Sequence, residues 1–148
     1  MIRKMLPESR RAAMLVLIAF CLPLCIIMAA FAVDVAWMQL VRTELRTATD
    51  SAARAGAKEL SLAQDQTAAR TRAKQAAARN DVAGSPLLLA DQDIVIGSST
   101  QSNTTSRFSF VGDVAKPNAV RVFGKRTDSS LGGPVDLMFA GVLGVDNF

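Results

Sequence analysis

Residues Ala12 to Val33 form an unbroken apolar run of 22 residues without a charged side chain. As a helix, a run of that length is about 33 Å long, enough to cross a hydrocarbon core of about 30 Å. No other feature limits the fold as strongly. Arg10 and Arg11 precede the run and Asp34 ends it. After Asp34 a polar, alanine-rich pattern of helical period continues with no turn signal. The simplest structure is one helix that leaves a membrane and carries on into water. Pro23 lies mid-run and costs the helix one hydrogen bond, a defect that neighbouring helices or local adjustment absorb in lipid. Trp37 follows the run by one turn, where an indole suits the membrane–water interface.

At 148 residues the chain holds one membrane segment and one small soluble domain. Its formal charge of +4 first suggests a nucleic-acid or lipid partner. The charge is not on the domain, however. Arg3, Lys4, Arg10 and Arg11 against Glu8 leave +3 in the first eleven residues, and the rest contributes +1. With no basic patch and few aromatics, nucleic-acid binding is not expected. By the positive-inside rule the basic end is cytoplasmic. The expected organisation is a basic cytoplasmic tail over 1–11, a transmembrane helix over 12–36 and an exported α+β domain over 37–148. That domain reads as helical over 37–80 and β-rich over 87–148.

Cys21 and Cys25 lie in the apolar run, one helical turn apart, and read as two small hydrophobes on one face. A disulfide between chains and a lipid attachment are the alternatives. Phe20 and Leu24 stand where a lipoprotein signal needs a small residue. Histidine and tyrosine are absent, which removes the usual proton shuttle and the Ser-His and Cys-His nucleophile pairs. Asp91 with Asp93, and Asp128-Ser129-Ser130, lack the further ligands that a metal or acid–base site needs. Catalytic residues, cofactor-binding residues and metal ligands are therefore all expected to be none.

The anchor competes with a cleaved signal peptide. Ala30-Phe31-Ala32 is an acceptable A-x-A site behind a basic n-region. Against it, the run exceeds the usual h-region of about 7–15 residues. The helical pattern also passes straight through the cleavage site.

Along the helix beyond the run, Met38, Val41, Leu45, Ala48, Ala52 and Ala55 to Ala57 recur at three- and four-residue spacing. Arg42, Glu44, Arg46, Asp50, Arg54 and Lys58 fall mostly off that stripe, and Asp50 with Arg54 is a candidate surface pair. Ala48, Ala52 and Gly56 form a small-xxx-small series that lets another backbone approach closely. Its occupant is either the chain's own domain or a helix of another subunit. Ser61 with Gln64 is a candidate capping box, and Asp65 is the competing cap. A second helix is expected over Thr67–Arg79. Its charges Arg70, Arg72, Lys74 and Arg79 are all basic, giving either a solvated face or a contact for anionic lipid or an acidic partner.

Asn80-Asp81 and Gly84-Ser85-Pro86 end that helix. Short strands are expected over 93–97, 107–111 and 119–123, forming a small antiparallel sheet covered by the helices. Leu131-Gly132-Gly133-Pro134 is a turn from which Pro134 can start a last apolar helix over 136–145, too short to span a bilayer.

The order of motifs carries a resemblance. Paired arginines and an apolar span are followed by Ala32-Val33-Asp34-Val35, then Arg42-Thr43-Glu44-Leu45, then Ala48-Thr49-Asp50-Ser51-Ala52-Ala53-Arg54-Ala55-Gly56-Ala57. This resembles the TadE/TadG-like family of tight-adherence (Flp) pilus-assembly proteins, most strongly over residues 10–60. The chain departs from that pattern at Ala36, Arg46, Ser51 and Arg54. No glycine precedes the span and no glutamate lies inside it, so pilin-type processing is not expected. The resemblance implies a minor-pilin-like protein with a membrane helix and a small exported domain.

Two functions fit these residues. One is a membrane-anchored structural subunit or assembly factor of a Tad/Flp-type pilus or related envelope machine, single-pass in the bacterial inner membrane. Its N-terminus would be cytoplasmic and its domain periplasmic or extracellular. It would act through helix contacts, with Asp34, Ala48, Ala52 and Gly56 as the contact face. Its partners would be the lipid bilayer, other pilus or envelope assembly proteins, and a second copy of itself. The other is a secreted binding module whose residues 1–32 are only a signal.

Overall fold

The computed structural model describes residues 8–144. The basic residues Arg3 and Lys4 and the apolar Val145 lie outside the described residues. One helix, α1, runs from Glu8 to Ala63, 56 residues, through the apolar run, Pro23 and the Ala30–Ala32 motif. It is about 84 Å long at 1.5 Å per residue. It begins four residues before the apolar run, so the end of the expected tail is already helical. Over the first half, the large apolar side chains from Met14 to Phe31 are all more than half exposed.

The second half buries one stripe. Val41, Ala48, Ala52 and Leu60 are at most 2% exposed, while Arg42, Arg46, Asp50, Arg54 and Lys58 point to solvent. Glutamine 64, at φ 53, stops α1, and its own backbone N–H still reaches the Leu60 carbonyl. Asp65 then caps α2 (Gln66–Ala77) by accepting from the Thr67 N–H at 2.8 Å. Ser61 lies within α1, so the capping-box reading is corrected: Asp65 stands at the break between the helices and accepts the amide two residues on. In α2 the buried face is alanine only, Ala69, Ala73 and Ala77.

Two sheets follow. A minimal hairpin pairs β1 (Asp81–Val82) with β2 (Ser85–Pro86). Its two central residues, Ala83 and Gly84, have φ 54 and 73, the left-handed pair that matches the twist of a two-residue hairpin. The second sheet has the order β4-β3-β5, from β3 (Ile94–Thr100), β4 (Ser109–Gly112) and β5 (Ala119–Val122), all antiparallel. Ile94 and Ile96 on one face of β3 are buried, together with Val82, Leu87 and Leu89 from the preceding segment. The same-face residues Val120 and Val122 of β5 pack on this core and complete the cover over α1 and α2. On the opposite face Gly97 pairs with Gly112. The trough they leave is crossed by the Phe110 ring, which stacks under the Arg121 guanidinium at 4.1 Å.

The last apolar segment differs from expectation. It is not a helix over 136–145; within the described residues only Ala140–Leu143 form a short 3-10 turn. Buried Val135 and the residues after it form an extended strap that returns to α1. The amides of Met138, Phe139 and Ala140 find their acceptor on α1, so a helix through them has nothing to gain there.

Candidate functional site

Asp34, at the end of the apolar run, is 4% exposed. Its Oδ1 accepts from the backbone N–H groups of Met138 at 2.9 Å and Phe139 at 3.0 Å, and its Oδ2 from those of Phe139 at 3.3 Å and Ala140 at 2.7 Å. One turn along, the Trp37 indole Nε1 donates to the Asp136 carbonyl at 3.1 Å. The two side chains clasp the strap to α1 at the point where the apolar run ends. A buried carboxylate needs compensation, and here three consecutive amides supply it in place of a cation.

The small-residue series is occupied from within the chain. Ala48 and Ala52 are fully buried against the alanine face of α2. At Gly56 the backbones come so close that a Cβ would stand 3.2 Å from the Ala69 carbonyl oxygen, 3.2 Å from the Ala73 Cβ and 3.4 Å from Val120 Cγ1. Lower on the same face, Gly124 presses on Thr49, where a Cβ would collide with the threonine hydroxyl.

Residues 12–59 match a family described as TadE/G-like Flp pilus-assembly, and residues 55–148 match one described as Tad-like Flp pilus-assembly. The chain belongs to the TadE/TadG-like Flp pilus-assembly family. The two matched stretches meet within α1, around Gly56, where helix, α2 and β5 come into contact. Comparison with curated proteins and with solved structures returns no match. A role in pilus assembly follows from the family, as does an association with other pilus-assembly proteins.

Other side chains of this Tad-like chain are committed to building the domain. Glu44 accepts the Ala83 N–H at 2.9 Å and so fixes the left-handed hairpin residue, a role that its place on a charged helix face does not announce. Arg70, read from the sequence as part of a basic face, donates to the carbonyls of Asp91 at 3.0 Å and Ile94 at 2.6 Å. Lys74 pairs with Asp91 at 2.9 Å. Half of the expected basic face is therefore spent on the loop before β3. Asp93, 7% exposed, pairs with Lys125 at 2.8 Å and accepts the Ala90 N–H at 3.0 Å, tying the start of β3 to the end of β5. Asp50 and Arg54 do not form the expected pair among the described residues, where the ion pairs are Lys74–Asp91 and Lys125–Asp93. No group of three or more His, Cys, Asp or Glu is placed to hold a metal ion among the described residues.

The hydrogen bond and charge of Lys74 hold the exposed Asp91 carboxyl below the usual aspartate range, with a smaller contribution from Arg70. A carboxyl whose folded pKa is depressed contributes stability above its unfolded value and loses it as pH falls through the folded value. Lys74→Met is expected to move the Asp91 titration back up toward an ordinary aspartate, read by carboxyl NMR. An unmoved titration would mean that the pair is not formed in solution.

Proposed function

We propose that this Tad-like chain is a membrane-anchored structural subunit or assembly factor of a Tad/Flp-type pilus or a related envelope machine, and that it is not an enzyme. The observation that carries the reading is the continuity of α1 in a pilus-assembly chain. The helix carries the long, largely exposed apolar run, touched by the domain only at the strap, and becomes the spine of a folded domain over its second half. The tail carrying Arg10 and Arg11 faces the cytoplasm, the span crosses the inner membrane, and the domain stands outside.

The face at Ala48, Ala52 and Gly56 is filled by α2, so contacts with other subunits are assigned to the bare span, including the exposed Cys21 and Cys25. In bilayers such contacts rest on close packing and lipid release and need no polar pair. Asp34 supports the span reading over a cleaved signal. A cut after Ala32 would leave the residue that clasps the strap two places from a new chain end.

Deletion of the coding sequence is expected to reduce surface pili several-fold, counted by electron microscopy, with restoration by the intact chain. Normal piliation in the deletion strain would contradict the role.

A further inference from the structure

Between the strap and α1 lies a groove of about 350 Å³, walled by Ile26, Ile27, Ala30 and Phe31 on one side and by Phe139 and Ala140 on the other. We infer that the strap around Met138–Gly141 is a second membrane contact, lying in the headgroup–acyl boundary of the leaflet through which α1 leaves, and that the groove holds a lipid acyl chain. This inference rests on the anchored reading above.

Depth comes first. Ala30 is one turn and Ile26 two turns from Asp34 toward the middle of the apolar run, about 6 and 12 Å along the axis. Because Phe139 and Ala140 line the same groove as these residues, the strap cannot stand clear of the bilayer if the run is within it. Met138 and Phe139 are 61% and 46% exposed beside it, and between Thr127 and Gly144 the charged residues are Asp128 and Asp136 alone.

Backbone chemistry comes second. Irregular chain is excluded from lipid because its free amides cost several kcal/mol each. Here three consecutive amides, of Met138, Phe139 and Ala140, are all bonded to Asp34. The strap thereby carries three amides that need no water at that depth. The groove's polar group, Asp34, has both oxygens committed to those amides, which leaves an apolar cleft that asks nothing polar of its occupant. A lipid chain meets that requirement and is already present along the rest of the bare span.

The test uses the full chain in vesicles of phosphatidylethanolamine and phosphatidylglycerol. Single-cysteine variants carry a nitroxide at native Cys21 (with Cys25→Ala), or, with both native cysteines changed to alanine, at Met138→Cys, Phe139→Cys or Asp128→Cys. Labels at 21, 138 and 139 are expected to be several-fold more accessible to dissolved oxygen, relative to a nickel chelate, than the label at 128. If the label at 21 behaves like that at 128, the anchor itself fails. If 21 is lipid-exposed while both 138 and 139 match 128, the strap inference is overturned and the anchor stands. Spin–spin broadening at 138 or 139 that disappears on dilution with unlabelled chain would place a second copy in the groove and overturn the lipid assignment.

Discussion

Asp34→Ala is expected to free the C-terminal strap from α1 while the rest of the domain stays folded. The substitution removes the acceptor of three partly buried amides in one step. A hydrogen bond to a charged group contributes about 1.5–3 kcal/mol, and a buried donor left unpaired costs about 1–3 kcal/mol. The three donors act as one unit and regain water once the strap lifts, so these figures do not add. A loss of about 3 kcal/mol in strap docking is the expected size, or about a hundredfold in the docking equilibrium. Amide exchange at Met138, Phe139 and Ala140 should accelerate by that factor, with exchange in β3 and β5 unchanged. Asp34→Asn should recover part of the protection, because one of its two terminal atoms still accepts. Equal protection in wild-type and Asp34→Ala chains would mean that the clasp holds nothing.

Ala52→Leu is expected to have the second large effect, and on the domain as a whole. Ala52 has no exposed surface, and α1 and α2 meet there through alanine on both sides. Three extra carbon atoms cannot enter without moving the helices apart, at a cost of about 1–3 kcal/mol. In a domain of this size each kcal/mol shifts the melting temperature by about 4–8 °C. The measurement is a thermal melt of the solubilised chain. An unchanged midpoint together with lost pilus assembly would mean that α2 does not cover this face and that a partner does.

Much of this architecture is legible in the residues because its signals are local. The long helix follows from one apolar run joined to one alanine stripe, and the three larger strands from alternation between turn residues. The small-residue face is visible as a spacing at Ala48, Ala52 and Gly56. Its occupant is not, because the matching alanines of α2 read equally well as ordinary helix formers. The hairpin at Asp81–Pro86 is too short to show any period, and its left-handed alanine carries no propensity signal.

The Asp34 clasp is the least legible element. Its partners are backbone amides 104 to 106 residues away, which no side-chain complementarity can announce. For the same reason the strap reads as a helix. An apolar stretch near Pro134 looks helical until its amides find an acceptor elsewhere. Glu44 and Arg70 follow this pattern too, since each looks like surface charge and is spent on a main-chain group of a distant segment.

The account stands on α1 being one uncut helix that crosses the inner membrane with the domain outside. Protease added to spheroplasts, followed by mass determination of what stays in the membrane, tests that directly. The predicted result is loss of the domain and a protected fragment that contains Arg10 through Trp37. A domain protected until the membrane is broken would contradict the orientation, and a mature chain beginning at Val33 would contradict the anchor.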